Sequence, residues 1–324
     1  MTNLPKRITI NEEGPREGFQ IESAEIATQD KIELINMLSE TGVKHIQIVS
    51  FVNPKIVPGM ADAEAVVAGI DMQPDVHYTG LWLNQRGFER AMACGRLSME
   101  GALTLYSSEA FLKKNQNRTQ AEQLLAQHDL IQRYQANNIP VKRGFISTAF
   151  GCNFEGDIPP QHVVDLVTQL LDIAAEHEVT LERLGLGDTM AWATPESIKK
   201  VVGAVRNRHP DLPMFLHLHD TRGMGIANAY AGLEMGIDTF DACVAGLGGC
   251  PFAGHKGAAG NVCTEDLVFM CDEMGIETGI DLSKMIECAL MAEKIVKHPL
   301  PGSVKYGGIL SKFRSKDASS INSL

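Results

Sequence analysis

The sequence predicts an α/β protein, a (β/α)8 TIM barrel carrying an extra C-terminal helix. Three observations predict it. The chain has 324 residues, 44% hydrophobic and 21% charged, the make-up of an ordinary globular protein. Eight short β-like runs alternate with longer helical ones over a length that suits such a barrel. No G-x-G-x-x-G follows the first run, so a dinucleotide-binding doubly wound sheet, the competing architecture, loses ground. The expected division is a barrel over residues 1–280, a helical extension over 281–310 and a flexible tail over 311–324.

The expected strands, in order, are Arg7–Glu13, His45–Phe51, His77–Leu83, Glu100–Tyr106, Val141–Phe150, Leu181–Asp188, Met214–Asp220 and Thr239–Gly246. Between them lie amphipathic stretches. Thr28–Thr41 spaces Ile32, Ile35 and Leu38 three apart, and Thr119–Asn138 sets Leu124, Leu125, His128 and Ile131 on one side. Pro159–Glu178 and Pro195–Arg208 open with proline, which suits a helix start. Asp281–Lys297 reads as a helix beyond the barrel, and Ser311–Leu324 is polar and serine-rich.

The net charge of −11 gives no basic footprint for nucleic acid. Seven cysteines with no C-x-x-C pair do not make a disulfide framework. They fit reduced thiols in the cytoplasm. Met1–Arg7 lacks a signal-peptide apolar core, and no apolar run reaches membrane-spanning length.

The most informative segment is Phe215-Leu216-His217-Leu218-His219-Asp220-Thr221. On a strand, residues i and i+2 share a face, so the two histidines project side by side, about 7 Å apart at the backbone. That suits two imidazoles on one divalent cation; a buried structural histidine is the bland alternative. After the first strand, Glu12-Glu13-Gly14-Pro15-Arg16-Glu17-Gly18-Phe19-Gln20 reads as a loop forced by glycine and proline. A carboxylate there suits a hard metal and a guanidinium suits an oxyanion; a surface ion pair on a solvated turn is the competing reading. Asp188, at the end of the sixth strand, either serves a ligand or caps the next helix. After the eighth strand, glycines surround Cys250, which reads as a general acid or a nucleophile. The other six cysteines read as small buried hydrophobes, Cys152 being set apart by its place in a post-strand loop. Asn261 either lends a carbonyl oxygen to a metal or ties the loop down.

These motifs, GPREGFQ (Gly14–Gln20), SFVNPKIVPGM (Ser50–Met60), LGDT (Leu186–Thr189), HLHDTRG (His217–Gly223), VAGLGGCPFA (Val244–Ala253) and GNVCTEDLVFM (Gly260–Met270), identify a resemblance. The chain is similar, from about Ile8 to about Gly279, to the 3-hydroxy-3-methylglutaryl-CoA lyases of the DRE-TIM metallolyase superfamily. The resemblance implies a metal-dependent TIM barrel that cleaves a CoA thioester to acetyl-CoA and acetoacetate. It also implies a dimer and a place in leucine degradation. Carried over by position, it implies Glu17, His217, His219 and Asn261 as ligands of Mg²⁺ or Mn²⁺. Arg16 would stabilise the enolate oxygen, and Cys250 would deliver a proton. Gln20, Gln47 and Ser50 would contact substrate, Gln20 also holding the active-site loop. Asp188, Glu12 and Glu265 would act behind the ligands or handle protons.

Three departures fall at the active face. The family has aspartate where this chain has Glu17, a carboxylate displaced by about 1.5 Å, one covalent bond. It has glutamate where this chain has Gln47. The Cys250–Asn261 loop is about two residues longer than the family's and carries His255 and Lys256. Together they suggest the same chemistry on an altered acyl group, with 3-hydroxy-3-methylglutaryl-CoA cleaved weakly and a related thioester preferred. Two other classes compete. One is a condensing enzyme like the isopropylmalate and homocitrate synthases, against which stand the G-G-C-P loop and the short stretch after the barrel. The other is a non-catalytic metal-binding barrel, which the intact Arg16, His217, His219, Cys250 and Asn261 oppose.

Overall fold

The computed structural model of the chain describes residues 4–23, 25–248 and 260–314. Its eight strands are β1 (Thr9–Glu12), β2 (His45–Ser50), β3 (His77–Leu81), β4 (Gly101–Tyr106), β5 (Val141–Ser147), β6 (Arg183–Asp188), β7 (Met214–Leu218) and β8 (Thr239–Ala242). Every expected strand is present, and most end sooner than the sequence suggests. The residues past each end, such as His219 and Val244, leave the ladder to build the C-terminal face. All pairings are parallel, in the order β3-β2-β1-β8-β7-β6-β5-β4. The first strand therefore lies between the second and the last, which closes the chain into the (β/α)8 arrangement.

Helices cover the outside. Pro195–Arg208 matches its expected bounds and carries a capping box at Thr194 and Ser197. The helix Leu282–Val296, capped by Asp281, buries Met285, Cys288, Ala289 and Ala292 and packs on the helix Thr28–Ser39. The C-terminal extension is thus docked on the barrel. Among the described residues, no helix is long and apolar enough to cross a membrane.

The barrel departs from the usual arrangement in two ways. Its interior is not filled with branched apolar side chains. Asn11 bonds Asp241 at 2.8 Å, and Arg143 stacks over the Phe215 ring at 5.3 Å. Gly185 and Gly187 leave room for the Phe145 and Phe215 rings, since a Cβ on Gly185 would sit 2.3 Å from Phe215.

The second departure is a seam. Among the described residues, β3 and β4 share no ladder. A cavity of about 370 Å³ lies there, lined by His45, Gln47, Thr79, Trp82, Thr104 and Arg143 among others. The β4 edge is satisfied instead by the helix Gln120–Ala136. Gln127 accepts from the Thr104 N–H at 2.8 Å, Gln123 donates to the Thr104 carbonyl at 2.8 Å, and Gln120 donates to the Tyr106 carbonyl at 2.5 Å. This corrects the face expected to be buried. Gln123, Gln127, Ile131 and Tyr134 point inward, while Leu125 is exposed. Orphan backbone groups on β4 outweigh the burial of one leucine.

Candidate active site

The chain leaves β1 not as an irregular loop but as a π-helical turn, Gly14–Gly18, with Pro15 in its first turn and the Glu17 N–H donating to the Glu13 carbonyl at 2.8 Å across its start. The glycines are required by close approach. A Cβ on Gly14 would sit 2.6 Å from Glu12 Oε1, and one on Gly18 2.7 Å from Leu247 Cβ. The helical turn gathers Glu13, Arg16 and Glu17. Arg16 Nη2 donates to Glu13 Oε2 at 2.5 Å, and Nη1 pairs with Glu17 Oε2 at 2.9 Å.

His217 lies on β7 and His219 just past it, bridged through its backbone to Asn261. The rings are 5.2 Å apart, with Nε2 facing Nε2 at 3.3 Å. Glu17 Oε1 completes the group, 3.0 Å from His219 Nε2 and 3.7 Å from His217 Nε2. One ligand atom from each of the three lies within 4.8 Å of the others. His217 Nδ1 lies 3.1 Å from Asp241 Oδ2. A neutral ring that donates there turns its Nε2 lone pair toward Glu17 and His219, the carboxylate–histidine pattern that orients a metal ligand. Asn261 is fully buried, its amide nitrogen on Cys243 Sγ at 3.0 Å and its Oδ1 without a partner among the described residues. A carboxylate, two imidazoles and an orphan carbonyl oxygen fit a divalent cation.

The electrostatics agree. Burial alone would raise the Glu17 pKa, but Arg16 and His217 hold it well below the usual carboxylate range. For His217 burial opposes the charge, yet Glu17 and Asp241 raise its pKa to about 10. The pocket is therefore set for positive charge between Glu17 and Asp241. Burial works against the Arg16 charge, but Glu17 and Glu13 more than offset it.

The remaining expected residues divide. Asp188 does not cap the next helix, whose cap is Thr194. Its Oδ1 accepts the Trp192 and Ala193 N–H groups at 2.7 and 3.0 Å, its Oδ2 is buried and unpartnered, and burial raises its pKa to about 6. Glu12 is a buckle between strands and loops, accepting from Gly14, Val244 and Thr264. Glu265 accepts from the Ala245 N–H at 2.9 Å, and burial lifts its pKa to about 8. Gln20 Oε1, Gln47 Oε1 and Ser50 Oγ are buried without partners among the described residues. Seven of the nine such orphan side-chain atoms among the described residues belong to the expected site residues. A site awaiting a polar ligand leaves its own donors and acceptors unmet in this way. Cys250 lies outside the described residues.

Sequence reasoning missed Glu13, Asp241 and Cys243. The first sits beside Glu12 in the quoted segment, where only its turn geometry reveals it. Asp241 had a usable signal, since a carboxylate on the strand next to His217 can reach a ring nitrogen. Cys243 was assigned to the core, where it is buried, but it also touches Asn261.

Comparison with known proteins places this geometry among relatives. The HMGL-like family model matches residues 7–291. Hydroxymethylglutaryl-CoA lyase YngG of Bacillus subtilis (strain 168) is 40% identical over 297 residues, 92% of this chain and 96% of that protein. The mitochondrial hydroxymethylglutaryl-CoA lyase of Mus musculus is 42% identical over 289 residues, 89% of this chain and 85% of that protein. The structure of an HMG-CoA lyase from Acinetobacter baumannii, in complex with coenzyme A and 3-methylmalate, superposes with a TM-score of 0.84 at 36% identity. It covers 95% of this chain and 97% of that one.

Proposed function

The chain belongs to the HMGL-like family, and from that premise we propose that it is a metal-dependent carbon–carbon lyase. It cleaves 3-hydroxy-3-methylglutaryl-CoA, or a close 3-hydroxyacyl-CoA, to acetyl-CoA and a keto acid. The observation that carries this reading is the buried Glu17–His217–His219 group with Arg16 bonded to its carboxylate. A guanidinium beside a cation site is what a developing enolate needs.

Glu17, His217, His219 and the Asn261 carbonyl would hold the cation, and the oxygen and nitrogen donors favour Mg²⁺ or Mn²⁺. When bound, that ion acidifies the substrate's 3-hydroxyl. Asp241 keeps His217 in one tautomer and orientation. Asp188, whose pKa burial raises to about 6 and whose Oδ2 has no partner among the described residues, is poised to take a proton. As the C2–C3 bond breaks, negative charge gathers on the thioester oxygen. Arg16 meets it with Nε, a buried donor that no group among the described residues uses. Cys250 protonates the acetyl carbanion in this scheme. Gln20, Gln47 and Ser50 offer their unmet atoms to the acyl group. A dimer in the cytoplasm belongs to the same proposal and rests on the resemblance alone.

The test is direct. Purified enzyme with Mg²⁺ or Mn²⁺ is given 3-hydroxy-3-methylglutaryl-CoA and a panel of 3-hydroxyacyl-CoA analogues, and products are identified by mass. Acetyl-CoA and a matching keto acid are expected. Absence of cleavage across the panel rejects the lyase reading. Net condensation of acetyl-CoA with a keto acid supports the synthase-like alternative.

A further inference from the structure

Two carboxylates touch Arg16, and they are not equivalent. Glu17 divides itself: Oε2 faces Arg16 while Oε1 faces both histidines. Glu17 would hold a cation through the same carboxylate that faces Arg16, and its charge would then be shared between the two. Glu13 has no such second duty in the metal triad. It is 2% exposed and bonded to Arg16 Nη2 at 2.5 Å. Its backbone is pinned at both ends: its N–H donates to the Ala242 carbonyl, and its own carbonyl accepts the Glu17 N–H, each at 2.8 Å. The π-helical turn sets the three-residue spacing that brings its side chain to Arg16.

The neighbouring strand supplies no substitute. Gln47, on β2 beside this turn, is a neutral amide with an unpartnered Oε1. Among the described residues, Glu13 is the one carboxylate outside the metal triad that bonds Arg16. An arginine has four side-chain torsions to fix, and a charge-assisted bond to a rigid partner fixes them from one side. With one bond from Nη2 to Glu13 and one from Nη1 to Glu17, Nε is the guanidinium nitrogen that is buried without a partner among the described residues.

We infer that Glu13 is a positioning residue: it aims the Arg16 guanidinium at the oxygen that gains charge in the reaction, and takes over its hold when Glu17 serves the cation. This rests on the lyase reading above. It also gives the neutral Gln47 a different meaning, because the acid that steadies this arginine sits at the end of β1 instead of on β2.

The test is a double-mutant cycle on the full-length enzyme. Glu13→Gln keeps the shape and removes the charge. We expect kcat to fall roughly 10-fold or more, the loss of about one charge-assisted hydrogen bond's worth of 1.5–3 kcal/mol, with KM changed less than about threefold. Mn²⁺ affinity of the metal-free protein, measured by calorimetry, should stay within about threefold, because Glu13 is not a ligand. In an Arg16→Lys background, Glu13→Gln should cost little more, since the two residues act as one unit. Glu13→Asp, which retains the charge, should keep more kcat than Glu13→Gln, and it replaces the latter in the cycle if that variant melts below the assay temperature. An unchanged kcat, an equal loss in both backgrounds, or equal loss in the Asp and Gln variants overturns the inference while wild-type cleavage leaves the lyase reading standing. A wild type that cleaves nothing rejects both.

Discussion

His217 shows how one side chain takes its role from its two ends. Nδ1 meets Asp241 and Nε2 faces His219 and Glu17. Removing either histidine leaves Glu17 and Arg16 paired but deprives the cation of an imidazole. His217→Ala and His219→Ala should each abolish cleavage and weaken Mn²⁺ binding at least tenfold by calorimetry, with the circular dichroism of the barrel unchanged. Retained tight binding in both variants would disprove the ligand set. Glu265 makes a different prediction. Burial raises its pKa from 4.5 to about 8, and its Oε1 has no partner. A carboxyl raised on folding binds more protons in the native state than in the unfolded one, so its contribution is complete below about pH 4.5. It is lost as pH rises through about 8. Glu265→Gln removes that dependence. Its melting temperature should exceed the wild type's by several degrees near pH 8.5 and by little near pH 5. Parallel melting curves across that range would mean that Glu265 ionises normally.

At the scale of elements, β6 and β7 work as a pair. The glycines of Leu184-Gly185-Leu186-Gly187-Asp188 are recesses for rings on neighbouring strands, not flexible joints. A Cβ on Gly187 would meet Phe145 Cζ at 2.5 Å, and Phe145 stands edge-on to His217 with centroids 5.8 Å apart. Gly187→Ala should push that ring toward the metal group. Overpacking of this kind costs about 1–3 kcal/mol. We expect a matching drop in stability to urea, together with a lower kcat/KM. Wild-type values of both would show that Phe145 yields freely and does not brace His217. The turn Gly14–Gly18 is the second working element. Its helical winding, rather than the loop that Gly-Pro suggests, is what lets Glu13, Arg16 and Glu17 meet.

At the scale of the molecule, the barrel gives up one ladder among the described residues. β3 and β4 part, and three glutamines of the helix Gln120–Ala136 hold the β4 edge. Gln127→Leu would leave the part-buried Thr104 N–H without its acceptor, at a cost of about 1 kcal/mol. Urea denaturation should show this loss, and the amide protons of β4 should exchange faster than those of β7, which is paired on both sides. Equal stability of the variant would mean that β4 finds another partner across the seam.

The sequence by itself determined the eight strands, the helix beyond the barrel and the histidine pair, because period-two and helical patterns are local and His-x-His needs only a strand to share a face. The family resemblance its motifs carry, rather than spacing or composition, pointed to Gln20, Gln47, Ser50 and Glu265, whose buried atoms are unmet among the described residues. Tertiary structure alone decided three things. It chose Gln123 and Gln127 over Leu125 for the inner face of their helix, since the open β4 edge has backbone groups to satisfy. It wound Gly14–Gly18 into a helical turn against Leu247 and Val244, contacts more than two hundred residues away in sequence. It brought Asp241 behind His217 and Glu13 beside Arg16. Which carboxylate meets which cation depends on distances between strands and turns. Local patterns of charge carry no record of those distances.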